Sequence, residues 1–214
     1  MSYDYLPKNK LVAVVDIADP RHAEPLCEAL LAGGVSAIEI TLRNPKALAA
    51  LQAAADAVAI GGLEMTVGAG TILSLADLRA AQSAGAAFFV SPAAPLQLLN
   101  EFANTLGSHK TQMIPGVATA SEAMAAYALG FEVLKFFPAE ASGGVPWLKS
   151  VAGPLPHIRF MPTGGVREAT LKSFTELKTV AAVGGTWLAP AASIAAQDWN
   201  VITTNAKTAL ATLV

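Results

Sequence analysis

Eight short β-branched or apolar runs, each followed by an alanine-rich stretch of helical length, set the pattern of this chain. The runs are Leu11–Val15, Ala37–Ile40, Met65–Val67, Ala87–Val90, Gln112–Ile114, Val133–Phe136, Ile158–Met161 and Ala181–Val183. Between them the spacing predicts helices over Pro20–Ala32, Pro45–Ala59, Ser74–Ala84, Pro95–Leu106, Ala120–Leu129, Pro146–Ala152 and Arg167–Leu177, with a last one after Ala189. Several open on Pro or Ser, as helix starts do. Strict strand–helix alternation demands a parallel sheet, because each crossover carries the chain back before the next strand. Eight units at a spacing of ~25 residues favour a closed (β/α)8 TIM barrel over an open sheet. The expected architecture is a single α/β barrel domain over residues 1–214, with 1–10 as a short N-terminal extension.

Hydrophobic residues make up 53% of the chain and charged residues 14%, which supplies an extensive core and excludes disorder. A net charge of −2 gives no cationic field for nucleic acid or acidic lipid, so neither is expected as a partner. The start MSYDYLPKNK lacks the basic and apolar segments of a secretory signal, and the apolar runs are too short for a membrane helix. A lone Cys27 in an alanine- and leucine-rich run fits a buried helix position in a reducing compartment. These features predict a cytoplasmic protein. So few charges also point to self-association.

Sites in such a barrel gather where strands end and βα loops begin. At those ends stand Glu39 with Arg43, Gly68–Thr71, Ser91 with Pro92, Pro115 with Gly116, Lys135 with Phe136 to Pro138, Pro162–Gly165, and Gly184–Thr186. Most members that are not Gly or Pro can hydrogen-bond or ionise. That clustering is the strongest functional signal in the sequence.

Lys135 sits in the run Phe131 to Phe137, among strongly apolar neighbours. Burial disfavours an ammonium, and a lysine so placed is expected to offer the free amine that attacks a ketone to form a Schiff base. Strand alternation puts Val133 and Lys135 on one face, so Lys135 can point into the barrel mouth. The plainer alternative is a lysine salt-bridged at a strand end or snorkelling to water. Glu39 is a carboxylate inside an otherwise apolar strand and a candidate general acid/base; its plainer alternative is a structural ion pair with Arg43. The planar fork of Arg43 suits a carboxylate, whether a substrate's or that of Glu39.

Gly164–Gly165 and Gly184–Gly185–Thr186 follow the seventh and eighth runs, where barrels often hold a phosphate with backbone amides. Gly68-Ala69-Gly70 is no dinucleotide fingerprint, because Leu73 stands where the third glycine belongs. His22, His109 and His157 are scattered without metal-ligand spacing, so no metal is expected and they read as surface histidines. A serine hydrolase is disfavoured by the lack of G-x-S-x-G. Trp187 and Phe88–Phe89 read as core or subunit-contact aromatics.

Taken together, Glu39-Ile40-Thr41-Leu42-Arg43, Val67-Gly68-Ala69-Gly70-Thr71, Ser91-Pro92, Lys135-Phe136-Phe137-Pro138-Ala139-Glu140, Pro162-Thr163-Gly164-Gly165 and Gly184-Gly185-Thr186-Trp187 resemble the 2-keto-3-deoxy-6-phosphogluconate (KDPG) aldolases. These are class I aldolases shared with 4-hydroxy-2-oxoglutarate cleavage, and the likeness runs nearly the whole chain from Leu11. The resemblance implies Lys135 as Schiff-base lysine and Glu39 as general acid/base. It implies that Arg43 and Thr71 hold the pyruvate carboxylate and that Pro92 and Phe137 line the pyruvate pocket. Thr163, Gly164 and Gly165, with Gly184, Gly185 and Thr186, would bind the distal end and phosphate. A homotrimer, a place in the Entner–Doudoroff pathway and chemistry without a cofactor are implied as well. The chain departs from the family in Ala93–Ala94, where Gly usually follows Ser-Pro, in Thr186, where Ser is common, and in a first strand without its frequent Pro. An added methyl and a stiffer loop there would shift the preference between phosphorylated and short substrates. Two other readings use the same glycine loops without imine chemistry: a phosphosugar isomerase or other phosphate-binding barrel, and a non-catalytic binding module.

Overall fold

The computed structural model describes residues 5–213. Strand β1 (Leu11–Val15) pairs in parallel with β2 (Ala37–Thr41), β2 with β3 (Thr66–Gly70), and β3 with β4 (Phe88–Val90). The fifth strand, β5, comes in two pieces, Met113–Ile114 and Gly116–Val117, because Pro115 has no N–H to give the ladder. The carbonyl of Pro115 still accepts from the N–H of Lys135 at 2.9 Å, which carries the sheet across the break into β6 (Val133–Phe136). β6 pairs with β7 (Arg159–Pro162), single bridges link Phe160 of β7 to Val180, just before β8 (Val183–Gly185), and Thr163, just after β7, to Gly184 of β8, and β8 pairs with β1. The ring closes with eight parallel strands among the described residues, as the alternation predicts.

Helices α1 (Ala23–Ala32), α2 (Ala47–Ala59), α3 (Leu75–Ser83), α4 (Leu96–Leu106), α5 (Ala120–Ala128), α6 (Gly144–Ala152) and α7 (Glu168–Thr175) pack outside. Their starts follow local chemistry. Ser74 Oγ accepts from the N–H of Asp77 at α3, and Thr119 with Glu122 forms a reciprocal capping box at α5. The single helix expected after Ala189 is two, α8 (Ala191–Ala195) and α9 (Trp199–Ala211). Gln197 turns left-handed between them at φ 57°, and Asp198 caps α9 by accepting from the N–H of Val201 at 3.2 Å.

Alternation along the strands divides the buried residues into two shells. Leu11, Ala13, Ile38, Ile40, Phe89, Leu134, Phe136 and Phe160 face the helices. Val12, Ala37, Phe88, Val90, Ile114, Val133, Met161 and Ala182 fill the barrel. So Phe88 is an interior aromatic and Phe89 an exterior one, and Cys27 is buried in α1. A side chain on Gly68 would enter the Phe88 ring, which is why that ring can lie across β3. Of the expected N-terminal extension, Met1–Asp4 lie outside the described residues; Tyr5 packs on Phe88 with ring centroids 6.1 Å apart, at the end of the barrel where the strands begin.

The third and eighth strands are displaced toward their glycines. Gly68–Gly70 continue β3, and Gly184–Gly185 belong to β8, where they pair with Val12 and Ala13. Glycine has weak strand preference alone, and here the neighbouring ladders hold it extended.

Candidate active site

Glu39 is the third residue of β2 and shares the inward face with Ala37; Lys135 is the third of β6 and shares its face with Val133. Both charges therefore enter the barrel from opposite sides, and they meet. Lys135 Nζ donates to Glu39 Oε1 at 3.0 Å, with the residues 3% and 0% exposed. An isolated charge in such a place would be strongly disfavoured, and each offsets the other's lost hydration. The plainer alternative for Glu39, an ion pair with Arg43, is thereby set aside: Arg43 is exposed, and its Nε reaches Thr71 Oγ1 at 3.5 Å. Of the plainer alternatives for Lys135, snorkelling to water is likewise set aside, whereas the salt bridge is present, with Glu39 as its partner.

Three neighbours shape the pair. Gly70 lies beside the Glu39 carboxylate, where a Cβ would stand 2.8 Å from both Cγ and Cδ of Glu39 and closer still to Oε1. The ring of Phe137 lies 5.4 Å from Lys135 Nζ. Gly116, in register with Lys135, approaches the backbone of Pro92 so closely that a Cβ would collide with it. Pro92, Gly116 and Phe137 also line a cleft of about 420 Å3 between the loops after β4 and β5. The second carboxylate oxygen of Glu39, Oε2, is buried without a protein partner, a free acceptor beside the ammonium.

Ser91 is a residue that sequence reasoning noticed only as a strand end. It is fully buried, and its Oγ accepts from the N–H of Gly116 at 3.2 Å, tying β4 to β5 beside the Pro115 break. Gly70 likewise stands out in the sequence only as part of a motif. Its spacing from Glu39, across one parallel pairing, is the signal that would have found it.

The loops after β6 and β7 brace each other. Ala139 N–H donates to Thr163 O at 2.8 Å and Glu140 N–H to Gly164 O at 3.1 Å. Gly164 and Gly165 have φ of 96° and 79°, which an L side chain rarely adopts. Thr163 Oγ1 lies against Gly184, filling the room that glycine leaves, while Thr186 is exposed beyond β8. Thr71 is held left-handed at φ 64° directly after β3, an uncommon conformation for a β-branched residue. Among the described residues no three His, Cys, Asp or Glu side chains are grouped to hold a metal ion. His109 and His157 are exposed, and His22 packs edge-on against Trp199 at 5.9 Å.

Chemically, a buried amine–carboxylate pair can exchange one proton over one hydrogen bond. A lysine that passes its proton to the carboxylate becomes a nucleophile, and the carboxylic acid so formed becomes a proton donor.

Residues 3–205 match the model of the family described as KDPG and KHG aldolase. The KHG/KDPG aldolase of Escherichia coli K12 is 41% identical over 205 residues, covering 96% of this chain and 92% of that one. The crystal structure of the KDPG aldolase of Zymomonas mobilis superposes with a TM-score of 0.83 at 40% identity, covering 94% of this chain and 92% of the other. The Legionella pneumophila KDPG aldolase, solved with pyruvate captured as a covalent carbinolamine intermediate, gives 0.84 at 35% identity over 94% and 93%.

Proposed function

This chain belongs to the KDPG and KHG aldolase family and is a carbon–carbon lyase, and from that premise we propose that it cleaves KDPG to pyruvate and glyceraldehyde 3-phosphate through a Schiff base on Lys135. The same chemistry would split 4-hydroxy-2-oxoglutarate to pyruvate and glyoxylate. The observation that carries the residue assignment is the buried 3.0 Å hydrogen bond from Lys135 to Glu39.

As the C2 ketone enters, the Lys135 ammonium passes a proton to Glu39 Oε1 and its lone pair adds to C2. The C2 alkoxide so formed takes a proton from the attached nitrogen, protonated Glu39 gives its proton to the resulting carbinolamine hydroxyl, water leaves, and a C2 iminium remains. Glu39, again a carboxylate, takes the C4 hydroxyl proton directly or through a water. The C3–C4 bond breaks, its electrons pass into the iminium, and an aldehyde departs. The enamine then receives the proton at C3, and water releases pyruvate from the lysine. The lysine nitrogen supplies the electron sink, so the scheme calls for no metal or organic cofactor.

Around this axis, Arg43 and Thr71 would hold the pyruvate carboxylate, and Pro92 and Phe137 would pack on its methyl side. Thr163, Gly164 and Gly165, with Gly184, Gly185 and Thr186, would receive the distal end. The ladder between β8 and β1 engages the backbone of Gly184 and Gly185, so Thr186 and the Gly164–Gly165 turn are the better donors for a phosphate. The proposal extends to one barrel domain, a cytoplasmic setting and a homotrimer. No helix among the described residues is long and apolar enough to cross a membrane, and Ile60, Leu73, Leu96 and Met124 are exposed apolar surface that subunit contacts would cover.

Borohydride reduction with pyruvate, followed by mass analysis of the labelled peptide, tests the core of the assignment. A pyruvyl adduct on Lys135 is expected; an unmodified Lys135 in turning-over enzyme overturns it. Comparing cleavage of the two keto acids then sets the substrate, and sedimentation sets the assembly.

A further inference from the structure

At the pole of the barrel opposite the site of the aldol chemistry lies a second concentration of charge. Lys8 and Lys10, in the segment leading into β1, line two cavities of about 500 and about 310 Å3. Lys172 stands in the first of these, and Arg159 and Lys178 in the second. Five of the chain's 14 Lys and Arg thus converge on one end of a protein whose net charge is −2. Among the described residues the lining carries one carboxylate, Glu176, and Glu132 lies alongside, its carbonyl accepting from the N–H of Arg159 at 3.0 Å.

Lys10 is built into this place. Its backbone is left-handed at φ 62°, a conformation that disfavours a non-glycine residue. The segment is pinned there by three bonds. Lys10 N–H donates to Pro7 O at 2.9 Å, Asn9 Nδ2 donates to Gly34 O at 2.8 Å, and Asn9 Oδ1 accepts from Leu11 N–H at 3.1 Å. The Lys10 ammonium donates to Thr175 O at 2.9 Å, at the end of α7. That bond uses one of its three protons and leaves donors for a ligand. Burial lowers the pKa of this lysine, so a bound anion would offset a cost that the neutral carbonyl does not.

We propose that the two cavities are the halves of one binding site for a small polyanion with two or more phosphoryl groups, a diphosphate or a bisphosphorylated metabolite. The class follows from how the cations divide. Lys8 and Lys10 belong to both cavities, Lys172 completes one, and Arg159 with Lys178 completes the other. A single phosphoryl group engages one half, whereas two linked groups engage both. Tyr5 packed on Phe88 stands between this pole and the barrel interior, so a ligand here acts from outside the catalytic chamber. The inference is independent of the substrate assignment.

The test is calorimetric titration of the full-length enzyme with inorganic pyrophosphate and, separately, with orthophosphate. One pyrophosphate per chain is expected, weakening as ionic strength passes ~0.1 M, where exposed charges are screened beyond about 10 Å. Orthophosphate should bind at least tenfold more weakly, a difference of about 1.4 kcal/mol. Lys8→Gln/Lys172→Gln and, independently, Arg159→Gln/Lys178→Gln should each weaken pyrophosphate about tenfold. Lys8→Arg/Lys172→Arg should retain it, and aldol cleavage should stay unchanged in the Lys8 and Lys172 variants. Absence of binding by the wild-type enzyme, or wild-type affinity in either charge-removal variant, overturns the site. Equal affinity for orthophosphate and pyrophosphate overturns the polyanion class. Loss of binding only when the loops after β7 and β8 are altered would place the anion in the active site instead.

Discussion

The carboxylate of Glu39 lies in the space that a side chain on Gly70 would occupy, with Cγ and Cδ of Glu39 only 2.8 Å from where that Cβ would stand. The acid thus owes its position to an absent methyl on the neighbouring strand. Gly70→Ala should push the carboxylate off its line to Lys135, slowing turnover far more than it weakens substrate affinity. Overpacking of this kind costs about 1–3 kcal/mol of stability. Steady-state kinetics and urea melts on the purified variant check both; unchanged kcat would mean that Glu39 repositions without consequence.

Lys135→Met removes the proposed nucleophile and strands a carboxylate in the barrel. Turnover should vanish, with no adduct trapped by borohydride. Stranding one member of a buried pair costs about 3–5 kcal/mol. Lys135→Met/Glu39→Gln should therefore be more stable than Lys135→Met alone, a non-additivity that a double-mutant cycle in urea measures directly. Glu39→Gln alone should keep some imine formation while slowing the proton steps.

The capping box at α5 has a pH signature. Backbone N–H groups of Ala118, at 2.8 Å, and Thr119, at 2.9 Å, hold the Glu122 carboxyl below its usual range against an opposing push from partial burial. A carboxyl depressed in the fold stabilises above its unfolded pKa of about 4.3 and loses that contribution as pH falls through the folded value. The stability gap between wild type and Glu122→Gln should be full at pH 6 and shrink below about pH 4. Thr119→Ala should cost about 1 kcal/mol with cleavage unaffected.

Cys27 offers a probe of opening. Burial, with Glu24 and Glu28 nearby, pushes its thiol up to about 12, so it stays protonated in the fold where an unfolded thiol ionises near 8.5. Its stabilising contribution is full below about pH 8.5 and drains away as pH rises toward 12. At pH 8 an aromatic disulfide reagent should label the native protein only at the rate of unfolding, and at once in denaturant.

The barrel and its two interior charges were legible in the sequence for one reason. A Lys or Glu inside an apolar strand is expensive enough to stand out, and eight alternating units leave little choice of closure. Who pairs with whom was not legible. Arg43 is four residues from Glu39 and Lys135 is 96, yet the distant one is the partner, because strand parity aims side chains across the barrel while Arg43 has already left the sheet. The parts played by Gly70 and Ser91 were hidden for a related cause: one works by volume and the other by a bond to Gly116, and neither leaves a periodic trace. The edges of β3 and β8 were missed where glycines are held extended by their neighbours rather than by their own preference.

Because Glu39 and Lys135 are carried by β2 and β6, a cut near the Pro115 break leaves one of the two proposed reacting groups on each fragment. Neither piece alone can hold a competent amine–acid couple, whatever secondary structure it retains. Recovery of aldol cleavage on mixing the two would register reunion of the halves, making the enzyme its own complementation assay.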